Sequence, residues 1–329
     1  MGVRAHALLF QCDQFDSHLF TIQGMAASVT LGVMGEDAVV GGLLKTLPKL
    51  ASSVITGPGD DCAVVKVHRA RKLQLLKVDS VVEGVHFVSG EKMTRVGWKA
   101  ICRSVSDIAA MGGSPKHALV AVHASQRTSW AQLEALYRGI AAAAESFGIS
   151  VVGGETGRIE GPLVCSVTLT GWVEEERLVL RSGGRVGDSV LVTGRLGGSL
   201  RNGHHLDFIP RLKEARWLTK NFKISAMMDI SDGLAADAPR FADASACGVR
   251  IDPDAVPCNP GCSIDSALND GEDFELLFAC RPRKVPRLLD EWMLKFPGVP
   301  LTRIGVLTPQ EHSYQPKELF RTGGYHHFK

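Results

Sequence analysis

HALVAVHASQRTSWAQLEALYRGIAAAAESFGISVVGGE, residues 117–155, decides the fold class of this chain. The apolar run from His117 to Val122 predicts a strand. Ser129 to Phe147 carries apolar residues at the spacing of an amphipathic helix rich in alanine, and Ile149 to Val152 predicts a second strand. Strand, helix, strand is the unit of an α/β layer. Gly153-Gly154-Glu155-Thr156 then follows, where a ligand can reach bare backbone. Two glycines and an acid also make an ordinary turn, and the residues alone leave both readings open.

Working outward, Arg95 to Met111 has Val96, Ile101, Val105, Ile108 and Ala109 at helical spacing, with Gly112-Gly113 as the stop. Before it, Val54 to Val67 and Lys72 to Asp79 predict two strands, the second running on through Phe87, and Glu36 to Leu47 predicts a helix. Residues 1–33 show weak periodicity, and Met25 and Met34 offer later starts, so a dispensable leader is expected there. On the other side, Leu163 to Val173 is rich in β-formers. A boundary is expected near Glu174 to Arg181, giving domains at 34–177 and 178–329. The second half predicts strands at Ser189 to Thr193, Ala226 to Met228, Phe274 to Ala279 and Arg303 to Val306. It also predicts helices at Pro210 to Phe222, from near Asp232 to Ala246, and at Val285 to Phe296, with Asp232 as an N-cap.

Composition narrows the class. With 329 residues, 45% hydrophobic and 22% charged, the chain can bury substantial cores. A formal net charge of +2 with scattered basic residues is too mild to imply nucleic acid or an anionic membrane as the main partner, neither of which is expected, and no apolar run is long enough to span a bilayer. Eight cysteines form no CxxC pair, and Cys62, Cys102, Cys165 and Cys280 lie in apolar runs as core residues do; a reducing, cytoplasmic setting is expected.

Carboxylates recur where strands meet loops: Asp60-Asp61 after Gly57-Pro58-Gly59, Asp79 after Leu73 to Val78, Glu155, Asp229 after Ala226 to Met228, and Glu272-Asp273 before Phe274. Hard oxygen ligands from separate segments, with no His or Cys cluster, favour magnesium accompanied by a substrate phosphate. Asp107 falls in the last turn of its helix, where the dipole disfavours an anion by about 0.3–1 kcal/mol unless a cation offsets it. Ser104, three residues earlier, shares its face. His86 beside Phe87 reads first as a packed side chain. The sequence has no GxxxxGK, no GxGxxG after a strand, no HExxH and no GxSxG, so the acids must carry the chemistry.

From about Gly35 onward the sequence resembles the thiamine-monophosphate kinase family. That family belongs to the superfamily of aminoimidazole ribonucleotide synthetase, selenophosphate synthetase and a hydrogenase maturation factor. The resemblance rests on seven blocks in order: Gly59-Asp60-Asp61-Cys62-Ala63; Asp79 with Glu83-Gly84-Val85-His86-Phe87; Ser106-Asp107-Ile108-Ala109-Ala110-Met111-Gly112; Gly153-Gly154-Glu155-Thr156; Arg181-Ser182-Gly183; Asp229-Ile230-Ser231-Asp232-Gly233-Leu234; and Gly271-Glu272-Asp273-Phe274-Glu275-Leu276. It implies an α/β (α+β) aminoimidazole-ribonucleotide-synthetase-like fold of two domains. The N-terminal domain would bind ATP and magnesium and form a homodimer through its sheet. The implied reaction is transfer of the γ-phosphoryl group of ATP to thiamine monophosphate, with several magnesium ions.

The resemblance further implies that Asp61, Asp79, Asp107, Glu155, Asp229 and Asp232 are metal ligands. Gly154, Glu155, Arg181 and Ser231 would contact ATP, and His86, Glu272 and Tyr325 would contact the acceptor. Asp60 has no assigned role. The chain departs from the family pattern at Glu155, in place of an Asp, and at Lys77 and Val78, in place of Ser or Thr. A related cyclising ligase and a catalytically silent nucleotide binder are the alternatives. Strand alternation puts Lys77 on the face of Asp79 and Val78 on the other, so Lys77 is expected to reach the acids, Asp61 or a bound phosphate, as a fixed charge.

Overall fold

A computed structural model describes residues 50–67 and 71–312. The expected leader 1–33, the helix Glu36 to Leu47 and Tyr325 lie outside these residues. The strand, helix, strand order of the decisive stretch holds, but its second strand runs on past Val152 to Arg158. Strand β4 (Ser114–Ala124), helix α2 (Trp130–Phe147) and strand β5 (Ser150–Arg158) form a β-α-β unit with β4 and β5 parallel. Ser129 caps α2 in a reciprocal box with Gln132, supplying partners for two orphan backbone donors.

Around this unit stands a six-stranded sheet in the order β1 (Val54–Thr56), β2 (Ala63–Lys66), β3 (Lys72–Val82), β6 (Val164–Glu174), β4, β5. The expected single strand Val54 to Val67 is broken in two, because Gly57-Pro58-Gly59-Asp60-Asp61 turns the chain between β1 and β2. Gly153 to Thr156 makes no turn; all four lie inside β5, an edge strand with exposed side chains. Helix α1 (Met93–Ala110) lies on this sheet and packs against α2 at glycines: a Cβ on Gly139 would sit 1.9 Å from the Thr94 carbonyl oxygen. Val96, Ile101, Val105 and Ile108 of α1 join Leu73, Leu75, Val120 and Val167 in one core. Each such aliphatic side chain contributes roughly 1.5–3 kcal/mol by burial.

Beyond Glu174 the strands form a second, antiparallel sheet. Its order is β8 (Ala226–Ile230), β10 (Glu275–Cys280), β7 (Ser189–Thr193), β11 (Leu301–Thr308), β9 (Gly248–Ile251). Its three buried strands β7, β8 and β10 are covered on both faces, which is why they read as continuous apolar runs rather than alternating ones. Helix α4 (Leu234–Asp243) packs with Met228 and Ile230 on one face. On the other face, α3 (Leu212–Asn221) and α5 (Val285–Lys295) share a core with Met227, Leu276 and, from α1, Ala109 and Ala110. The end of α1 is thus embedded between both sheets, and Asp107 arrives with it.

Candidate metal and phosphate site

Alternation along β8 sends Met228 and Ile230 to the α4 side, so Asp229 shares the α1 side with Met227. Alternation along β3 likewise puts Lys77 and Asp79 on the face of the buried Leu73, Leu75 and Val81. Asp61 comes from the β1–β2 turn. Carboxylate oxygens of Asp61, Asp107 and Asp229, all three residues buried, lie within 4.8 Å of one another. The Lys77 ammonium donates to Asp107 Oδ1 at 2.7 Å, Arg181 donates to Asp61 Oδ1 at 2.7 Å, and Ser106 Oγ donates to Asp229 Oδ2 at 2.5 Å. Asp60 accepts from the backbone N–H of Asp61 and Arg181, anchoring the turn to the segment after β6. Lys77 therefore reaches the acids, but its partner is Asp107 rather than Asp61. It also provides the cation that the end of α1 requires.

Two cations do not satisfy this cluster. Burial, with Asp229 close by, holds the Asp107 carboxyl well above the ordinary carboxylate range despite Lys77. Burial and Asp61 push Asp229 up to about 7, and burial and Asp61 push Asp60 up to about 6. Burial works against the Lys77 charge, but Asp107 and Asp79 outweigh it and raise its pKa. Three buried polar atoms around the cluster, Asp61 Oδ2, Ser104 Oγ and Arg181 Nε, have no hydrogen-bond partner among the described residues.

A second polar centre lies along the same helix. Asp79 accepts from Arg103 Nε at 3.0 Å, Arg103 reaches Glu272 Oε1 at 3.5 Å, and Glu272 Oε2 accepts from Lys99 at 2.5 Å and lies 3.0 Å from His205 Nδ1. Lys99 also donates to the His86 carbonyl at 2.6 Å. His86 Nδ1 accepts from the Val82 N–H at 3.1 Å, and burial beside Arg103 drives the ring down to about 4, so it is neutral at physiological pH. Burial opposes ionisation of Glu272, but His205, Lys99 and Arg103 overcome it and pull the carboxyl down to about 2. Glu272 and Phe274 both adopt left-handed backbone, φ 55° and 51°, a strain of order 1–3 kcal/mol each. The loop is pinned by Glu272 N to Ser231 O, Phe274 N to Ile230 O and Ser199 Oγ to Glu272 O.

Lys99, Arg103, His205 and Ser106 were not among the residues expected from sequence. Lys99 did leave a signal: a charge three residues after Val96 on the buried stripe of an amphipathic helix. The remaining expected residues stand apart from the three converging acids. Asp232 pairs with Arg240 at 2.5 Å and is not the cap of α4. Gly233 occupies that position, and the Asp237 carboxylate, one turn into the helix, takes the N–H groups of Ser231 and Asp232 instead. Glu155 is exposed on β5 and accepts from the adjacent Thr156 N–H. At Gly154 a Cβ would come within 1.8 Å of the Val120 oxygen, so strand packing alone requires glycine there. Val78 points away from the site and is 63% exposed.

Known proteins resemble this chain in sequence and in fold. The family described as AIR synthase related protein matches through its N-terminal domain at residues 59–173 and its C-terminal domain at residues 203–315. The thiamine-monophosphate kinase of Rhodopirellula baltica is 34% identical over 286 residues, covering 82% of this chain and 87% of the relative. That of Aquifex aeolicus is 34% identical over 328 residues, covering 90% and 98%. A solved structure described as AaThiL complexed with AMPPCP and TMP superposes with a TM-score of 0.76 at 31% identity, covering 92% of this chain and 99% of the other.

Proposed function

Since this chain belongs to the thiamine-monophosphate kinase family, we propose that it transfers the γ-phosphoryl group of ATP directly to the phosphate of thiamine monophosphate, forming thiamine diphosphate. The observation that carries the reading is the convergence of Asp61, Asp107 and Asp229 with a buried, unpartnered Asp61 Oδ2. An all-carboxylate set short of cations suits magnesium, which Asp61, Asp107 and Asp229 would hold. When bound, magnesium neutralises phosphate charge and stabilises the charge that spreads over the transferring group.

The chain's own residues supply position. Arg181, tied to Asp61 through one guanidinium nitrogen and with its Nε unpartnered among the described residues, is placed to meet a phosphate oxygen of ATP, with Gly154 and Ser231 as further contacts. Asp79 and Asp232 join the metal set on release from Arg103 and Arg240. His86 and Glu272 meet the acceptor. Its phosphate monoester, with a second pKa of about 6, is already mostly ionised at neutral pH, so no general base is required. Charge repulsion and alignment are the obstacles, and both are matters of positioning.

The open face of the first sheet supports a homodimer. Val78 and Leu119 both stand opposite Thr168, forming an apolar row with Leu76 nearby, and these three hydrophobic side chains are 63%, 48% and 37% exposed. Light scattering should give twice the chain mass. No helix among the described residues is long and apolar enough to cross a membrane. The activity test is incubation with ATP, magnesium and one acceptor at a time. Thiamine diphosphate should form from thiamine monophosphate and not from free thiamine. Turnover of an aminoimidazole precursor, or of none, would replace the kinase with the ligase or the silent binder.

A further inference from the structure

We propose that Lys99 is a positioning residue for the acceptor substrate: its ammonium holds the Glu272 carboxylate and the His86 main chain in one arrangement, so that the two are presented together. The proposal rests on the reading of His86 and Glu272 as acceptor contacts.

Lys99 is fully buried in α1, with a side chain 0% exposed, so it meets no substrate itself. Its ammonium donates to the His86 oxygen at 2.6 Å and to Glu272 Oε2 at 2.5 Å, and it lies 2.8 Å from His205 Nδ1, so it meets three other segments. His86 lies in the turn after β3, His205 in the short helix His204–Asp207, and Glu272 in the loop before β10. Without this ammonium nothing on α1 except Arg103, at 3.5 Å, fixes the Glu272 side chain. The loop's left-handed residues show that its conformation is imposed by such contacts rather than by local preference.

The two oxygens of Glu272 are used unequally. Oε2 accepts from Lys99 and lies 3.0 Å from His205 Nδ1, whereas Oε1 has, among the described residues, the long Arg103 contact alone and keeps acceptor capacity for a ligand donor. The side chain is 16% exposed, enough to be reached. An aminopyrimidine, the ring system of thiamine, offers N–H donors that suit a carboxylate held this way. A lysine that locks one oxygen aims the other. Its loss should therefore weaken capture of the acceptor and leave the nucleotide untouched.

The test measures KM for thiamine monophosphate and for ATP separately in Lys99→Met, Glu272→Gln and the double variant. Lys99→Met should raise KM for thiamine monophosphate tenfold or more with KM for ATP within twofold, and the double variant should be no worse than Glu272→Gln alone. Should Lys99→Met fail to fold, the double variant, which removes the stranded carboxylate, and Lys99→Gln carry the same comparison. Equal changes in both KM values, or additive losses in the double variant, would reduce Lys99 to a structural residue and overturn the proposal. If Glu272→Gln raises the acceptor KM and the Lys99 variants do not, only the positioning role fails. If Glu272→Gln itself leaves that KM unchanged, the acceptor assignment fails and the proposal with it.

Discussion

Helix α1 carries two polar centres along one side, and they are charged in opposite senses of completeness. Around Asp107, four carboxyls (Asp60, Asp61, Asp107, Asp229) face two cations, Lys77 and Arg181. Around Lys99, Asp79 and Glu272 face Arg103 and Lys99 in a balanced chain. The acids respond accordingly: burial wins in the first centre and raises Asp60, Asp107 and Asp229, whereas cations win in the second and lower Asp79 and Glu272. A centre short of cations is built to receive one from outside. A balanced centre holds itself together and aims what it holds.

The largest effect that would break this contrast lies at Asp229. Asp229→Asn should lower turnover by about 10²- to 10³-fold, while the melting temperature in chelator-treated buffer stays level or rises, because the carboxylate is an unfavourable buried charge there. A clear loss of melting temperature would mean that the first centre is structural after all. Glu272→Gln should behave oppositely. The folded carboxyl lies near 2 against an ordinary 4.5, so its stabilisation is fully present above pH 4.5 and disappears as pH falls through about 2. That corresponds to at most about 3 kcal/mol at pH 7. Urea melts of both proteins across this range should converge at low pH; a constant gap would contradict the ion-pair origin. The smallest effect is expected at Lys77, whose removal takes one internal cation from the first centre. Lys77→Ser should bind one more manganese ion per chain by calorimetry and shift half-maximal rate to higher magnesium. An unchanged stoichiometry would show Lys77 to be a bystander of Asp107.

These two centres were unequally visible in the sequence. Local periodicity placed α1, β4 and α2 within a few residues, because each buries a face with its own period, whereas β5, exposed along nearly all its length, runs six residues past its expected end. The face of Lys77 followed from alternation in β3. Pairings at long range were not legible: Lys99 meets Glu272 across 173 positions and Ser106 meets Asp229 across 123. The Asp232 cap failed for a local reason, since Asp237 lies close enough to take the same backbone donors from within the helix. The break in Val54 to Val67 was also written locally, in a Gly-Pro-Gly turn whose flanking valines masked it.

Crystals grown with manganese and a non-hydrolysable ATP analogue test the central claim most directly, through the anomalous signal of the metal. The account predicts a peak bounded by the carboxylates of Asp61, Asp107 and Asp229, and none among Glu272, Lys99 and His205. Manganese bound to the nucleotide with the three aspartates left without an ion would contradict it.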